Sequence, residues 1–186
     1  MITGGSGWAV AYGWYLALLA LTAAERLVEL VVSARNARWA LARGGRETGR
    51  GHFPAMVLLQ VGLGVGCVAE PLLAGRPFLP ALGIPAVLVV LAAQVLRYWC
   101  ILSLGPRWNT RIVVVPGLPL VKRGPYRLLP HPNYVIVAVE GIALPLVFTG
   151  WITALAFTVL NAVLLLGFRI PAEERALTEA LHEAAR

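Results

Sequence analysis

Long, largely apolar runs constrain this chain more than any other feature. A helix needs about 20 apolar residues to cross the hydrocarbon core of a bilayer. Runs of that order extend from Trp8 to Val32, from Pro54 to Leu73 and from Leu79 to Leu104. The composition agrees, because 59% of the 186 residues are hydrophobic, 13% are charged and the mean hydropathy is +0.75. These values lie outside the balance of a soluble domain, so the sequence predicts an integral membrane protein.

A shorter apolar pair follows nearer the C-terminus. Tyr134 to Phe148 and Trp151 to Phe168 flank a turn signal, Thr149-Gly150, and this pattern is typical of a helical hairpin. We therefore expect an all-α integral membrane protein with five transmembrane helices, the last two forming a hairpin. A single domain would cover residues 1–186, with three helices in residues 1–104 and a loop, the hairpin and a C-terminal helix in residues 105–186.

The basic residues predict the orientation of these helices. The chain has 16 Lys and Arg residues against 9 acidic ones. If the N-terminus is outside, thirteen of the 16 fall on one side of the membrane: Arg35, Arg38, Arg43, Arg46, Arg50, Arg107, Arg111, Lys122, Arg123, Arg127, Arg169, Arg175 and Arg186. Cytoplasmic loops carry an excess of Lys and Arg, so we expect an outside N-terminus and a cytoplasmic C-terminus. The net charge of +7 then needs no nucleic acid to explain it.

Residue usage and aromatic placement add two expectations. All the acidic residues are Glu and Lys122 is the only lysine, a bias that fits a GC-rich genome and therefore a bacterial inner (plasma) membrane. The aromatic residues of the first run, Trp8, Tyr12, Trp14 and Tyr15, are expected to form a belt at the outer membrane interface.

A few ionisable residues lie at membrane depth, where each costs about 2.5–3.5 kcal/mol on insertion scales. Glu25, Arg26 and Glu29 share the first run, and we expect them to pair between helices, for instance with Arg97. Glu140 lies two turns into the fourth helix, so it either lines a cavity or makes a structural hydrogen bond. The cysteines Cys67 and Cys100 have no His or Cys at ligand spacing, and no metal site is predicted.

Between the third and fourth runs lies a polar and stiff segment, "VKRGPYRLLPHPNY". Its three prolines restrict the backbone to few shapes, which indicates that the segment positions something. In "HPNY", Pro132 suits the first helical position, and a helix N-terminus offers free N–H groups to a carboxylate or phosphate. The alternative is a cap that ends a re-entrant loop. Asn109 and Arg111 in "GPRWNTR" form a second cluster, in which Arg111 could bind an anionic oxygen in a bidentate manner.

The order of these motifs resembles the isoprenylcysteine carboxyl methyltransferase (ICMT) family of integral membrane methyltransferases. That family has GPY, then RHPxY, then a hairpin, then RxxxEExxL, and this chain has "GPYRLLPHPNY", a hairpin and "RIPAEERAL" between Gly105 and Leu177. The chain departs from the pattern at Pro130, where Arg is usual, and at Ile136, where Gly is usual. The N-terminal half looks like a bacterial branch, some members of which O-methylate long-chain alkylpyrones or alkylresorcinols.

The resemblance implies that S-adenosylmethionine binds in a cytoplasmic pocket made by the loop, the hairpin ends and the C-terminal helix. The residues expected to hold it are Lys122, Gly124, Pro125, Tyr126, Arg127, His131, Pro132, Tyr134, Arg169, Glu173 and Glu174. Asn109, Arg111 and Glu140 would face the acceptor oxygen, with Arg111 stabilising its negative charge.

We therefore predict a membrane O-methyltransferase acting on a lipophilic acceptor such as an alkylpyrone or alkylresorcinol. A prenylcysteine carboxyl methyltransferase is the alternative. Small transporters and lipid-binding proteins form a rival class, and a membrane reductase of the sterol-reductase type, which would bind a nicotinamide, is a third hypothesis. The expected partners are a lipophilic small molecule and membrane lipids, without nucleic acid, and the sequence leaves the oligomeric state open.

Overall fold

The structure is a computed structural model that describes the backbone of residues 5–184 and the side chains of residues 7–183. Arg186, which the charge pattern assigned to the cytoplasmic side, lies outside the described residues. Helices occupy all five predicted apolar segments. The helices are α1 (Gly5–Leu41), α2 (Phe53–Leu73), α3 (Pro80–Leu104), α4 (Pro132–Leu146), α5 (Trp151–Leu164) and α6 (Ile170–Ala184).

Three stretches of the described chain are long and apolar enough to cross a membrane. They are Arg50–Leu73 with 24 residues, Pro80–Arg107 with 28 and Trp151–Glu183 with 33. The last stretch combines α5 and α6, which are joined by one turn of π-helix, Leu165–Arg169. α4 is shorter, with 15 residues, while α1 has 37. The chain is a helical membrane protein, and the count of five spans and their orientation stay predictions.

The helical architecture agrees with the sequence analysis, which nevertheless missed one small sheet. Strands β1 (Arg46–Thr48) and β2 (Ile112–Val114) pair antiparallel, with Glu47 opposite Val113. The β-branched run "IVVV" favours an extended backbone. The sheet ties the first loop to the central segment, so it brings two distant stretches of chain to the same end of the helices.

An aromatic cluster holds the opposite end together. Tyr12 and Tyr15 are 7% and 1% exposed, and their rings pack with Trp8 around Phe148. Their polar atoms are satisfied internally, since the Tyr15 hydroxyl donates to the Leu144 carbonyl at 2.9 Å and the Trp8 indole donates to the Arg76 carbonyl at 3.0 Å. The belt expected at the outer membrane interface is therefore wrong for Tyr12 and Tyr15, whose side chains are buried, whereas Trp8 is half-buried and Trp14 is 54% exposed.

The α4–α5 hairpin is fixed by a close backbone contact and a carboxylate. A Cβ atom at Gly141 would overlap the Phe157 ring of α5, so the two helices pack without room for a side chain there. Glu70, at the end of α2, accepts hydrogen bonds from the backbone N–H groups of Ile152 and Thr153 at 3.2 and 2.8 Å. A negative charge is favourable at a helix N-terminus. The hairpin consequently places the start of α4 beside the end of α5.

Candidate active site

A cavity of about 650 Å³ lies where the central segment, the start of α4 and α6 meet. This volume is within the usual range of small-molecule sites, about 300–1,000 Å³. Nine of the fourteen site residues expected from the sequence line it: Asn109, Arg111, Lys122, Tyr126, His131, Tyr134, Arg169, Glu173 and Glu174. These nine residues come from three separate segments of the sequence, and Trp39 and Ala40 of α1 add a fourth segment to the cavity wall.

Arg169 connects these segments. Its side chain is buried, with 4% exposed, and it lies in the π-helical turn between α5 and α6. Its Nε donates to the Tyr134 hydroxyl at 3.0 Å, and its Nη2 donates to the Thr110 carbonyl at 2.6 Å. The Tyr134 hydroxyl in turn donates to the Glu173 carboxylate. A single guanidinium therefore links α4, the central segment and the start of α6. Single turns of π-helix within α-helices, such as Leu165–Arg169, are frequently found at functional sites.

His131 faces two carboxylates of α6. Its ring stacks on Tyr134 with centroids 5.4 Å apart. Its Nε2 lies 3.5 Å from Oε1 of Glu174, and its Nδ1 lies 4.0 Å from Oε1 of Glu173. Pro132 begins α4 as expected, but the His131 side chain makes no capping hydrogen bond. The His131 imidazole therefore lines the cavity and does not cap the helix.

Two polar residues of α1 support the cavity wall, and the sequence analysis did not single them out. Asn36 Nδ2 donates to the Trp108 carbonyl at 2.7 Å. Ser33 Oγ accepts from the Thr110 backbone N–H at 3.0 Å. Ser33 and Asn36 are three residues apart and so share a helix face. Two small polar residues spaced three apart near the end of α1 were the signal that could have identified them.

Tyr126 lines the cavity as a neutral phenol. Its ring packs against a small buried cluster on α3 and α4 that includes Cys100 and Ile136. Burial raises the pKa of Tyr126 above its ordinary value, and the nearby Cys100 and Glu173 raise it further. Since the hydroxyl stays protonated, Tyr126 can donate a hydrogen bond to a ligand.

The cavity also contains polar atoms that are buried and have no partner among the described residues. They are the Trp108 indole Nε1, the Asn109 amide Nδ2 and the Asn133 amide Oδ1, and all three residues line the cavity. Buried polar atoms are hydrogen-bonded in the great majority of cases. Two donors and one acceptor in residues that line the cavity therefore have no hydrogen-bond partner within the described residues.

Four of the expected cofactor-binding residues, Gly124, Pro125, Arg127 and Pro132, do not line the cavity. Gly124 has a positive φ of 57°, and a Cβ atom there would overlap Ser103 Oγ on α3. Pro125 is buried at the same turn. The "GPY" motif therefore docks the loop on α3, and within this motif Tyr126 alone reaches the cavity.

Glu140 also lies outside the cavity, in a buried ion network. It is 5% exposed, accepts hydrogen bonds from Arg26 Nη2 at 2.9 and 3.2 Å, and pairs with Arg97. Arg26 also pairs with Glu29 at 2.5 Å, and Arg97 lies 3.7 Å from Glu29. The pairing of Glu29 with Arg97 is the one expected from the sequence. Of the two roles expected for Glu140, the structure shows the structural hydrogen bond, and Glu140 does not line the cavity.

The helices and this cavity define a helical membrane protein with a cavity of small-molecule size at one end, lined in part by polar side chains. Residues 86–179 match the model of the isoprenylcysteine carboxyl methyltransferase (ICMT) family. The uncharacterized protein YpbQ of Bacillus subtilis (strain 168) is 40% identical over 163 residues, which cover 87% of this chain and 95% of that protein. No solved structure matches the chain.

The chain therefore belongs to the ICMT family, as its motifs indicated. This is a family of methyltransferases, and its members use S-adenosylmethionine as the methyl donor. The matched region contains all the residues of the Arg169–Tyr134–Glu173 link and of the His131 pair with Glu174.

Proposed function

We propose that this protein is an S-adenosylmethionine-dependent membrane O-methyltransferase that acts on an amphiphilic acceptor with a long apolar tail. The observation that carries the proposal is the convergence of three matched motifs on one cavity. Tyr126 of "GPY", His131 and Tyr134 of "HPNY", and Arg169 and Glu174 of "RIPAEERAL" all line it. Family membership supports an enzyme over a transporter.

The polar atoms of the cavity suit the proposed cofactor. The methionine part of S-adenosylmethionine has a carboxylate and an ammonium, and the adenosine part has further donors and acceptors. Lys122, Trp108 and Asn109 offer donors for a carboxylate or hydroxyl, while Asn133 and Glu174 accept from an ammonium or amino group. Tyr126, Tyr134 and Arg169 complete the wall, and the His131 imidazole would contact the cofactor as well as the acceptor. When bound, the cofactor supplies an electrophilic methyl, which forms a bond to the acceptor oxygen as its bond to sulfur breaks and the electron pair stays on sulfur.

The residues of this chain would prepare the acceptor. Methyl transfer depends on holding the oxygen in line with the methyl and on excluding water. Arg111 lines the cavity and would stabilise negative charge on the acceptor oxygen. His131 would take the proton of a phenol or enol, with Glu174 at 3.5 Å stabilising the imidazolium that results. We assign the role of general base to His131 because Glu140 lies outside the cavity, where it forms ion pairs with Arg26 and Arg97.

The proposed acceptor is an alkylresorcinol or alkylpyrone, and the alternative is a prenylcysteine carboxylate. Both combine an acidic oxygen with an apolar chain, and the description of the family favours the carboxylate. The Arg-rich, Lys-poor composition and Pro130 in place of the usual Arg favour the phenol or enol. We further propose that the cavity opens to the cytoplasm of a bacterium, on the side that carries most of the basic residues.

Cofactor binding by the purified protein tests this proposal. His131→Ala and Glu174→Ala should each weaken binding of labelled S-adenosylmethionine by about 10- to 100-fold, the range expected for loss of one hydrogen bond to a charged group. The matched controls are His182→Ala and Glu179→Ala, at exposed positions of α6 away from the cavity. The affinity of these control variants for S-adenosylmethionine should stay within about twofold of wild type, since surface substitutions away from buried or binding residues have small effects. Wild-type binding by both test variants would show that the cofactor binds elsewhere.

A further inference from the structure

A second concavity, of about 540 Å³, adjoins the cavity. Four basic residues line it, Arg43, Arg107, Lys122 and Arg123, together with apolar residues that include Leu118 and Leu120. We call it the basic vestibule. It shares Trp39, Leu104, Arg107 and residues 118–122 with the wall of the cavity, and no acidic residue lines it. Positive charge is therefore concentrated beside the cavity.

The arginines of the basic vestibule are held by neutral groups. Arg107 Nη1 donates to the Pro119 carbonyl at 2.5 Å, and Arg123 Nε donates to the Ser103 carbonyl at 2.7 Å. Arg43 Nη1 donates to the Trp39 carbonyl at 3.2 Å. The Arg43 guanidinium also lies 4.3 Å from the centroid of the Trp39 ring. Each of the three arginines keeps most of its donors free.

No carboxylate compensates these charges in the part of the chain that the structure describes. None of the four basic residues forms an ion pair there, whereas six other arginines are each paired with a Glu: Arg26, Arg46, Arg50, Arg76, Arg97 and Arg111. Oriented donors with uncompensated positive charge form a site for an anion with several oxygens.

The apolar residues beside these charges indicate what carries the anion. Leu118 and Leu120 are 37% and 46% exposed, on a loop between β2 and α4 that belongs to no helix. Their side chains lie next to the basic groups in the same concavity. Apolar walls would contribute nothing to the binding of a free phosphate ion. An anion attached to an apolar chain would contact both kinds of surface, and a membrane protein meets such molecules in the bilayer.

We infer that the basic vestibule binds the phosphate headgroup of an acidic phospholipid, with an acyl chain against Leu118 and Leu120. The bound lipid would border the cavity, because Arg107 and Lys122 line both spaces. The basic vestibule shares Arg107 and Lys122 with the cavity, whereas Arg43 and Arg123 line the basic vestibule alone, and its occupation requires neither the cofactor nor the acceptor.

Native mass spectrometry of the detergent-purified full chain, titrated with phosphatidylglycerol, tests the inference. The test variant is the pair Arg43→Gln and Arg123→Gln, neither of which is assigned to the catalytic machinery. Each basic residue near an anionic lipid surface contributes about fivefold in affinity. We therefore expect the pair to weaken phosphatidylglycerol binding by about 25-fold, and we expect phosphatidylcholine to bind wild type at least tenfold more weakly than phosphatidylglycerol does.

Two controls separate this site from general attraction to a basic surface. The pair Arg35→Gln and Arg38→Gln removes the same charge from exposed positions of α1 outside the basic vestibule, and its affinity should stay within about threefold of wild type. The pair Arg43→Lys and Arg123→Lys keeps the charge and should retain binding, which controls for folding. Equal losses in the two Gln pairs, equal binding of both lipids, or displacement of the lipid by inorganic phosphate at equimolar concentration would overturn the inference. Because no cofactor or acceptor is present, a failure here leaves the proposed function untouched.

Discussion

The ion network around Glu140 leads to a prediction that separates structure from catalysis. Glu140→Gln keeps the size of the side chain and removes its charge. Arg26 and Arg97 then retain only Glu29 as a close carboxylate partner in the network, at 2.5 and 3.7 Å. The side chains of Arg97 and Glu140 are 5% and 7% exposed, so water cannot replace the lost partner.

The size of the effect follows from this burial. Removing one partner of a buried ion pair costs about 3–5 kcal/mol, because the other charge is left uncompensated. For a chain of this length, 1 kcal/mol lowers the unfolding temperature by about 2–4 °C. We therefore expect Glu140→Gln to lower it by about 6–20 °C, as measured by tryptophan fluorescence of the detergent-purified protein. Below that temperature the variant should bind S-adenosylmethionine like wild type.

A double variant serves as the matched control. Arg97→Met combined with Glu140→Leu removes both charges of the pair and replaces them by apolar groups of similar size. Such replacements are often neutral or stabilising, so the double variant should unfold at a higher temperature than Glu140→Gln. If Glu140→Gln keeps the unfolding temperature of wild type and loses cofactor binding, the structural role is refuted and Glu140 belongs to the binding site.

Three other predictions concern the hairpin and the topology. Gly141→Ala should lose about 1–3 kcal/mol of stability through the clash with the facing phenylalanine ring. Gly64→Ala should lose none, because a Cβ atom there meets no atom within 4 Å, and equal unfolding temperatures of the two variants would contradict the α4–α5 packing. Glu70→Gln should lose about 1–2 kcal/mol through weaker capping of α5, and an unchanged unfolding temperature would exclude this role. Single cysteines placed at Arg43 and Arg123 should be labelled from the same, cytoplasmic side of intact membranes, and labelling from opposite sides would disprove the proposed orientation.

The helices could be predicted because lipid imposes a simple requirement on the chain. A segment that crosses the bilayer must be apolar and long enough, and the bounds of α2 and α3 follow from where the apolar runs end. The site was predictable as a set of motifs, since "HPNY" and "RIPAEERAL" are local in sequence. Their convergence on one cavity required the hairpin, which Thr149 and Gly150 indicated.

The missed features all depend on contacts between distant residues. Whether Tyr15 faces lipid or Phe148 cannot be decided from hydropathy, because an aromatic ring suits both environments. Glu140 in the fourth apolar run could have lined a cavity or met an arginine, and this choice depends on the rotation of α1. The short β1–β2 sheet required Arg46–Thr48 to meet a strand more than 60 residues away, although the β-branched run at Ile112 gave half of the signal.

The most direct test of the proposed function is methyl transfer by the purified protein. Wild type would be incubated with methyl-labelled S-adenosylmethionine and, separately, an alkylresorcinol, an alkylpyrone or N-acetyl-farnesylcysteine, and label would be counted in an organic extract. We predict label in the alkylresorcinol or alkylpyrone. At a cofactor concentration that saturates each variant, labelling should fall by about 100-fold or more in His131→Ala, as expected for removal of a general base, and should be retained in His182→Ala. Label in the farnesylcysteine alone would reverse the order of the acceptors, and label in none of the three would contradict the proposed activity on these acceptors.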